Sequence, residues 1–269
     1  MITSNNNAKV KQVVQWQTKA KERRKDHVFL AEGIRMCEEA PVKNVREVYL
    51  TEELEQKIRQ NAQSGDTAFW DKLQQTGYET VSTEVFAKMA DTQTPQGILT
   101  VLEQPVYDLT QLLEQPDPLF LMLENLQDPG NLGTMIRTGE GAGITGVIMN
   151  NQTVDIFNPK TIRATMGSIF RVPFVYVPDL APVLEQMHAK GIHTYAAHLK
   201  GQKYYDSFSF REPTAFLIGN EGNGLSKEIS DQAGQYLKIP MEGRVESLNA
   251  SIAAALLMYE AHRQRSARL

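Results

Sequence analysis

Three polar segments of the chain have the residue types from which a ligand site is built. They run from Asn125 to Arg137, over 218–225 and over 239–249, and they combine amides, carboxylates, a hydroxyl and an arginine with glycines. Glycine lets backbone approach a ligand closely, and the polar side chains supply hydrogen bonds and charge. These segments are therefore the candidates for the chemistry of the protein.

The first segment follows a compact apolar run at 119–123, which is typical of a strand buried on both faces. Asp128-Pro129-Gly130 favours a tight turn, and Asn131 is predicted as the N-cap of the helix that follows. Arg137 lies six residues further on, about 9 Å along that helix. Because helical side chains lean towards the N-terminus, the guanidinium is expected to reach the same strand end. The alternative is a capped helix with a surface arginine.

The second and third segments also lead from a predicted strand into a predicted helix. Glu221 lies among three glycines between 219 and 224, a pattern that favours close backbone approach to a ligand. An ordinary glycine-rich turn with a solvated glutamate has the same composition. Ser247 and Asn249 are either site residues or caps of the last helix. Because all three segments fall at one edge of one predicted sheet, a shared site is the better interpretation.

Alternating strand and helix patterns indicate how these segments are positioned. In the second half the predicted strands are 119–123, 146–149, 174–177, 192–197, 215–218 and 236–239, and the predicted helices are 132–142, 158–168, 180–190, 225–232 and a last one from 247. That last helix has one apolar face, formed by Leu248, Ile252, Leu256 and Tyr259. The alternation predicts an α/β domain with a parallel sheet, and such sheets bind ligands at the carboxyl ends of their strands.

The first half shows a shorter version of the same alternation. Its predicted strands are 28–31, 45–50, 79–81 and 97–102, and its predicted helices are 33–40, 52–62, 66–76 and 84–90. Three Xaa-Pro steps interrupt the pattern within the stretch 104–118. The sequence therefore predicts a small N-terminal α/β domain over 1–104, a linker over 105–118 and a C-terminal domain over 119–269.

Composition and motifs exclude several classes of protein. The 269 residues are 41% apolar, which suits folded domains, and the lone Cys37 excludes an internal disulfide or a cysteine-rich zinc site. The histidines at 188, 193 and 198 share no helix face, so a metal triad is not expected. Gly141–Gly146 has the spacing of a dinucleotide-binding loop but leads from a helix into a strand, the reverse of the required order. Phosphate-loop and nucleophile-elbow motifs are absent from the sequence.

The chain is expected to be cytosolic. Its first residues lack the features of a signal peptide, and no apolar run reaches the roughly 18 residues of a membrane span. The formal net charge of −4 disfavours a nucleic-acid partner. However, residues 1–25 hold seven Lys or Arg and one Glu. That basic start is either a solvated helix face or an arm for a polyanion.

The three polar segments resemble the three motifs of the SpoU/TrmH family of RNA 2′-O-ribose methyltransferases, of the SPOUT class. The matching stretches are Leu126-Gln-Asp-Pro-Gly-Asn-Leu-Gly-Thr-Met-Ile-Arg137, Leu217-Ile-Gly-Asn-Glu-Gly-Asn-Gly-Leu225, and Ile239-Pro-Met followed after five residues by Ser247-Leu-Asn-Ala-Ser251. Their order and spacing are intact between about 119 and 260. Residues 27–33 and 38–40 resemble more loosely the small, ribosomal-protein-like substrate-binding domain of the family.

The resemblance implies S-adenosylmethionine as methyl donor, a deep trefoil knot around its site, no metal, and a homodimer that builds the site. It implies donor-binding backbone at Leu217, Gly219, Ile239, Met241, Leu248 and Asn249. It further implies catalytic site positions at Asn131, Arg137, Glu221, Ser247 and Asn249.

The implied reaction makes demands that can be argued from chemistry. A sulfonium methyl is already activated, so the site must align oxygen, methyl and sulfur and stabilise the developing negative charge. A guanidinium stays protonated far above neutral pH and is therefore a poor proton acceptor. We therefore interpret Arg137 as an electrostatic clamp on the alkoxide or an adjacent phosphate. Glu221 is interpreted as a residue that orients Arg137 or a neighbouring asparagine.

The expected substrate is RNA, and by resemblance the separate N-terminal domain favours 23S ribosomal RNA over transfer RNA. Residues 9–25 and the arginines at 263, 265 and 268 are expected to contact phosphates. One alternative is a transfer-RNA 2′-O-methyltransferase. Another is a catalytically inactive RNA-binding or ribosome-assembly factor, which the intact polar residues disfavour. A Rossmann-type methyltransferase is disfavoured because its early glycine-rich loop is missing.

Overall fold

The computed structural model describes residues 1–245 and 247–266, and its residues form two units. The first unit contains residues 1–105 and 157–170, and the second contains 106–156 and the described residues from 171 onwards. The sequence assigns 157–170 to the C-terminal domain. The structure groups this segment with the first unit because Phe157 and Phe170 pack on Phe29, with ring centroids 4.9 and 6.3 Å from it.

The first unit is an α/β layer with the following elements: α1 (Ala8–Thr18), α2 (Ala20–Asp26), β1 (Val28–Glu32), α3 (Ile34–Glu39), β2 (Val45–Thr51), α4 (Glu52–Gln63), α5 (Ala68–Thr76), β3 (Glu79–Val81), α6 (Thr83–Met89) and β4 (Ile98–Glu103). The strand order is β1-β4-β2-β3, with β4 antiparallel to both neighbours and β2 parallel to β3. Each strand lies within one residue of its predicted bounds.

The basic N-terminal segment is built into the first unit. Val10, Val13 and Trp16 of α1 lie in its core at a spacing of three residues. Arg23 of α2 is only 3% exposed, and its Nη1 donates to the carbonyls of Trp16 at 2.7 Å and Gln17 at 3.3 Å. The expectation that all basic residues of 9–25 can contact RNA is therefore wrong for Arg23. Exposed basic side chains of this segment include Lys11, Lys19, Lys21, Arg24 and Lys25.

The second unit is built on a parallel sheet. Its elements are α7 (Leu109–Leu113), β5 (Leu119–Leu123), α8 (Pro129–Ala142), β6 (Gly146–Asn150), β7 (Phe174–Val177), α10 (Ala181–Ala189), β8 (His193–Ala197), β9 (Lys203–Tyr204), β10 (Thr214–Ile218), α11 (Lys227–Gln232), β11 (Gln235–Lys238) and α12 (Ala250–Ser266), while α9 (Pro159–Thr165) belongs to the first unit. Short 3₁₀ turns occur at Val42–Asn44 and Ser168–Phe170 in the first unit and at Tyr205–Ser207 in the second. The strand order is β7-β6-β5-β10-β8-β11-β9, and the strand pairs are parallel.

The central strands explain why this sheet forms. β5, β6 and β10 are buried along their whole lengths, which matches their nearly continuous apolar sequences. The register pairs Leu123 with Ile218, and the N–H of Glu124 donates to the carbonyl of Ile218 at 3.0 Å. Consequently the loops after β5 and β10 leave the sheet side by side. The predicted parallel sheet is confirmed, whereas α7 and the short β9 were not predicted.

The last helix turns a different face to the core than its sequence pattern predicts. Residues of α12 that are buried include Ala250, Ala254, Leu257, Met258 and Ala261. The predicted apolar face is instead turned outwards, with Ile252 50%, Leu256 36% and Tyr259 48% exposed. Small residues allow α12 to pack closely on α8, and none of the described residues covers the exposed stripe. No described helix is long and apolar enough to cross a membrane.

Two of the three C-terminal arginines expected at RNA are engaged within the protein. The guanidinium of Arg265 donates to the carbonyls of Phe210 at 2.8 Å, Asp117 at 2.8 Å and Glu212 at 2.7 Å. Arg263 pairs with Glu260 on the same helix. Arg265 therefore joins α12 to two loops, and its contact with a phosphate stays a prediction. Arg268 lies outside the described residues.

Candidate active site at the carboxyl ends of the parallel strands

The loop between β5 and α8 carries the first polar segment. Asp128 caps α8, because its Oδ1 accepts from the backbone N–H of Asn131 at 2.7 Å and Pro129 occupies the first helical position. The prediction that Asn131 is the N-cap is therefore wrong. Since Asp128 satisfies the helix end, the amide of Asn131 is available for contacts outside the helix.

Glu221, in the turn after β10, binds this loop through its carboxylate. Oε2 accepts from the backbone N–H of Gln127 at 3.1 Å. Oε1 accepts from the backbone N–H of Asp128 at 3.0 Å and from Nδ2 of Asn131 at 3.1 Å. One carboxylate thus joins two loops that follow neighbouring parallel strands.

The contacts continue from Asn131 to the last helix. Oδ1 of Asn131 accepts from Nδ2 of Asn249 at 3.0 Å. Oδ1 of Asn249 accepts from the backbone N–H and the hydroxyl of Ser251, at 2.9 and 2.7 Å, and thereby caps α12. We call Glu221, Asn131 and Asn249 the amide bridge. It joins the polar segments after β5, β10 and β11.

The direction of every hydrogen bond in the amide bridge is fixed by its two ends. An ionised carboxylate only accepts, so the amide nitrogen of Asn131 must face Glu221. The N-terminal N–H groups of α12 only donate, so the amide oxygen of Asn249 must face them. The remaining pair then has a single arrangement, with Asn249 donating to Asn131. The bridge is therefore a polar network with its partners assigned.

The glycine-rich turn after β10 is held by hydrogen bonds and by close backbone packing. Oδ1 of Asn220 accepts from two N–H groups within the turn at 2.9 and 3.1 Å, and its Nδ2 donates to the carbonyl of Asn125 at 2.9 Å. Asn220 and Gly224 exchange two backbone hydrogen bonds, at 3.0 and 2.8 Å. A Cβ on Gly219 would lie 2.0 Å from the carbonyl carbon of Gly224. Only glycine fits there, so the turn is set by its own close packing.

A cavity of about 350 Å³ opens beside the amide bridge. Its lining comes from the ends of three neighbouring strands and from the start of α12: residues 197–199, 218–225, 237–239, Met241, Ser247, Leu248, Ala250 and Ala253. This volume suits a small molecule. Among the described residues, no group of three or more His, Cys, Asp or Glu is placed to hold a metal ion.

The residues predicted to bind the methyl donor divide into two sets. Gly219, Ile239, Met241 and Leu248 line the cavity, as does Ser247. Leu217 is fully buried within β10, and Asn249 caps α12. The structure therefore brings most of the predicted residues to one cavity and places Asn249 at its edge in the amide bridge.

Arg137 is not part of this arrangement within one chain. It lies on α8 six residues after Asn131, which turns it about 120° away around the helix axis. Its side chain is exposed, and within the described part of the protein it makes no hydrogen bond or ion pair. The sequence prediction that its guanidinium reaches the strand end near Asn131 therefore finds no contact in a single chain.

The environment of Glu221 decides its ionisation. Partial burial by itself raises the pKa of this carboxyl, but the hydrogen bonds from Asp128, Asn131 and Gln127 act in the opposite direction and the net pKa is lowered. Glu221 is therefore ionised at neutral pH and already accepts three hydrogen bonds. The lowered pKa and the three hydrogen bonds make it a weak base and suit it to hold Asn131.

Family models and solved structures match the chain over both units. The model of the SpoU rRNA Methylase family matches residues 118–259, and that of the MRM3-like substrate binding domain matches residues 7–100. The chain is similar to the 23S rRNA (guanosine(2553)-2′-O)-methyltransferase RlmP of Bacillus subtilis, with 34% identity covering 96% of this chain and 97% of that protein.

Solved methyltransferase structures also superpose on the chain over both units. The AdoMet-bound rRNA methyltransferase of Sinorhizobium meliloti superposes with a TM-score of 0.85 and 30% identity, covering 97% of each chain. The SpoU methyltransferase AviRb of Streptomyces viridochromogenes gives a TM-score of 0.82 and 28% identity, over 97% of this chain and 99% of that one. The TrmH/SpoU tRNA modifying enzyme of A. aeolicus gives 0.51 and 25%, over 59% of this chain and 81% of that one.

The fold of the chain over both units is therefore that of the S. meliloti and S. viridochromogenes methyltransferases. The protein belongs to the SpoU rRNA methylase family. The family and the α/β fold class predicted from the sequence are thereby confirmed.

Glu221→Gln tests the centre of the amide bridge. Whichever way the new amide is turned, its NH₂ group faces a donor, so we expect the free energy of unfolding to fall by about 1 kcal/mol at pH 7. Because the pKa of Glu221 is lowered in the folded state, its contribution is present above the ordinary value of 4.5 and is lost as pH falls through the folded pKa. The difference between wild type and variant should therefore shrink below about pH 4.5, measured by urea unfolding.

The matched control is Glu185→Gln, which changes an exposed carboxylate in the middle of α10. It should leave the free energy of unfolding nearly unchanged at every pH. A Glu221→Gln difference that does not depend on pH would show that the ionised carboxylate does not hold the loop.

Proposed function

We propose that the protein transfers a methyl group from S-adenosylmethionine to a ribose 2′-hydroxyl of 23S ribosomal RNA. The observation that carries the proposal is the amide bridge at the edge of the cavity. The names of RlmP and the AdoMet-bound structure support the reaction and the donor. The A. aeolicus tRNA modifying enzyme covers only 59% of the chain, whereas the two rRNA methyltransferases cover 96–97%. That contrast supports ribosomal RNA over transfer RNA.

The residues around the cavity fit S-adenosylmethionine. The turn 218–225 and the stretch 237–241 supply backbone N–H and C=O groups, while Ile239 and Leu248 supply apolar surface suited to a nucleoside base. Gly219 keeps the backbone close to the cavity, since any side chain would displace the turn. When bound, the donor supplies a methyl group on a positively charged sulfur.

The protein's own residues handle charge and orientation. In such a transfer the ribose oxygen would take up the methyl group, the electron pair of the broken bond would stay with the donor, and the hydroxyl proton would have to leave. Arg137 is unsuited to accept that proton, and Glu221 is a weak base with three hydrogen bonds already made. The proton therefore leaves to solvent water, and Arg137 stabilises the developing alkoxide or an adjacent phosphate.

The proposal includes a homodimer that brings Arg137 to the site of the second copy. Ile252, Leu256 and Tyr259 form an exposed apolar stripe on α12 that no residue within 1–245 or 247–266 covers. A Cβ on Gly141 of α8 would lie 2.9 Å from Oη of Tyr259, so α8 and α12 meet at this stripe. Arg137 lies four residues before Gly141, on the same face of α8. A second copy seated on the stripe would therefore be next to Arg137.

The cavity is lined by the loops after β8, β10 and β11, which are adjacent strands in the sheet. This arrangement supports the trefoil knot that the family resemblance implies, in which the donor-binding loops pass through one another.

Since the substrate proposed is ribosomal RNA, we further infer a cytoplasmic enzyme.

Arg137→Ala tests the catalytic assignment. The purified variant should bind S-adenosylmethionine as wild type does, measured by calorimetric titration. Its rate of single-turnover methyl transfer to 23S ribosomal RNA should fall about 100-fold or more.

A ribose-methylation map of RNA from cells that lack the protein identifies the nucleotide. Reintroduced wild type should restore that mark and Arg137→Ala should not.

Arg137→Lys separates a clamp from a base. A clamp predicts a parallel loss of rate at all pH values, whereas a new ionisation near the pKa of lysine would contradict it. Absence of S-adenosylmethionine binding by wild type would favour the alternative of an inactive RNA-binding factor.

A mixed dimer tests whether two copies share a site. One subunit carries Arg137→Ala and the other Asn131→Ala, and differently tagged copies allow the mixed species to be purified. If Arg137 serves the partner, one of two sites is intact and about half of the wild-type activity is expected, although each variant alone is inactive. An inactive mixed dimer would show that both residues act in the same chain.

Leu256→Asp places a charge in the apolar stripe of α12 and should therefore give a single chain of 30.2 kDa in sedimentation analysis.

The exposed lysines of α2 test the RNA contact of the first unit. Lys21→Glu with Lys25→Glu should weaken RNA binding about tenfold and lower the slope of log K against log salt by about 1–2. Deletion of residues 1–25 is unsuitable because Val10, Val13 and Trp16 belong to the core. The control, Lys57→Glu with Arg59→Glu, changes the charge equally on α4. Equal losses of RNA affinity in the two double variants would show that the change in net charge alone explains the effect.

A further inference from the structure

The loop that contacts Glu221 begins with an unusual backbone conformation. Asn125, two residues after β5, has a φ of +57°, in the left-handed region that most residues avoid. This reversal turns the chain so that the N–H groups of Gln127 and Asp128 point to the carboxylate of Glu221. The geometry of the amide bridge therefore depends on what holds Asn125.

Asn150, the last residue of the neighbouring strand β6, contacts both ends of Asn125. Its Oδ1 accepts from the backbone N–H of Asn125 at 2.9 Å, and its Nδ2 donates to Oδ1 of Asn125 at 2.8 Å. The Asn150 side chain is buried, with 8% of the residue exposed. Two hydrogen bonds to one residue fix both its backbone and its side chain.

Asn150 is itself held in place. The hydroxyl of Thr153, 5% exposed, donates to Oδ1 of Asn150 at 2.9 Å. The backbone N–H of Thr153 donates to the carbonyl of Asn150 at 3.0 Å. The loop after β6 is also tied to the β5 loop, since the N–H of Val154 donates to the carbonyl of Leu126 at 2.8 Å. The amide of Asn150 thus has a single orientation.

We propose that Asn150 is a positioning residue for methyl transfer, which holds Asn125 in its left-handed conformation and so aligns the β5 loop on Glu221. Asn150 does not line the cavity, so it acts through Asn125 and not on the donor. The β6 strand end thereby becomes part of the site although it touches no reactant. The effect on catalysis rests on the proposed function, whereas the effect on the loop does not.

Glycine at position 125 should compensate for the loss of the hydrogen bonds from Asn150. Asn150→Ala leaves the left-handed conformation of Asn125 unsupported, and we expect kcat to fall about 30-fold through misplacement of the bridge. The dissociation constant of S-adenosylmethionine should change less than about twofold, because the cavity lining is intact. Glycine adopts positive φ without a steric cost, so Asn125→Gly in the same chain should restore kcat to within about threefold of wild type.

Hydrogen exchange gives a readout that is independent of activity. In Asn150→Ala the N–H groups of Gln127 and Asp128 should exchange about tenfold faster, and Asn125→Gly should restore their protection. The control is Asn151→Ala, at the exposed neighbouring position, which should change neither rate. If Asn150→Ala does not fold, Asn150→Asp keeps the acceptor for Asn125 and should give the same changes, smaller in size.

Each outcome decides a different point. Unchanged exchange and unchanged kcat in Asn150→Ala would overturn the positioning role, and so would a double variant in which Asn125→Gly restores nothing. If wild type transfers no methyl group but the exchange pattern is as expected, the proposed function fails and the role of Asn150 in the loop stands.

Discussion

The carboxylate of Glu221 is the interaction on which the geometry of the site depends. Two of its three donors are backbone N–H groups, so it fixes the path of the β5 loop and not merely a side chain. The third donor, Asn131, passes the constraint on to Asn249 and to the first turn of α12. One ionised group thereby anchors one end of a network whose other end caps a helix. This explains why a carboxylate with a lowered pKa is more useful here than one tuned to accept protons.

The sheet makes this interaction possible. β5 and β10 are about 95 residues apart in sequence but are neighbours in parallel register, so their loops begin at the same level. β6 is the other neighbour of β5, which brings Asn150 to Asn125. The site is therefore bounded by consecutive strands of one sheet edge, as expected for ligand sites in open parallel sheets.

Much of this could be predicted from the sequence, and the failures have physical causes. Apolar runs and periodicity located the main strands and the three polar segments, because burial leaves a direct trace in composition. Residue type alone did not reveal that Asp128 rather than Asn131 caps α8, since either side chain can do so. The burial of Arg23 and the pairing of Asn125 with Asn150 depend on which elements become neighbours in the fold. The charge and polarity of residues along the sequence do not predict these tertiary contacts.

The segment 157–170 makes the first unit discontinuous in sequence. Phe29, 2% exposed, is covered by Phe157, and Arg163 pairs with Asp91. Because a chain is synthesised from its N-terminus, this surface stays open to water until residue 170 has left the ribosome. By then β5, α8 and β6 have also been made, so the two units cannot mature strictly one after the other. Gene fission near residue 105 would separate the first unit from a piece of its own core.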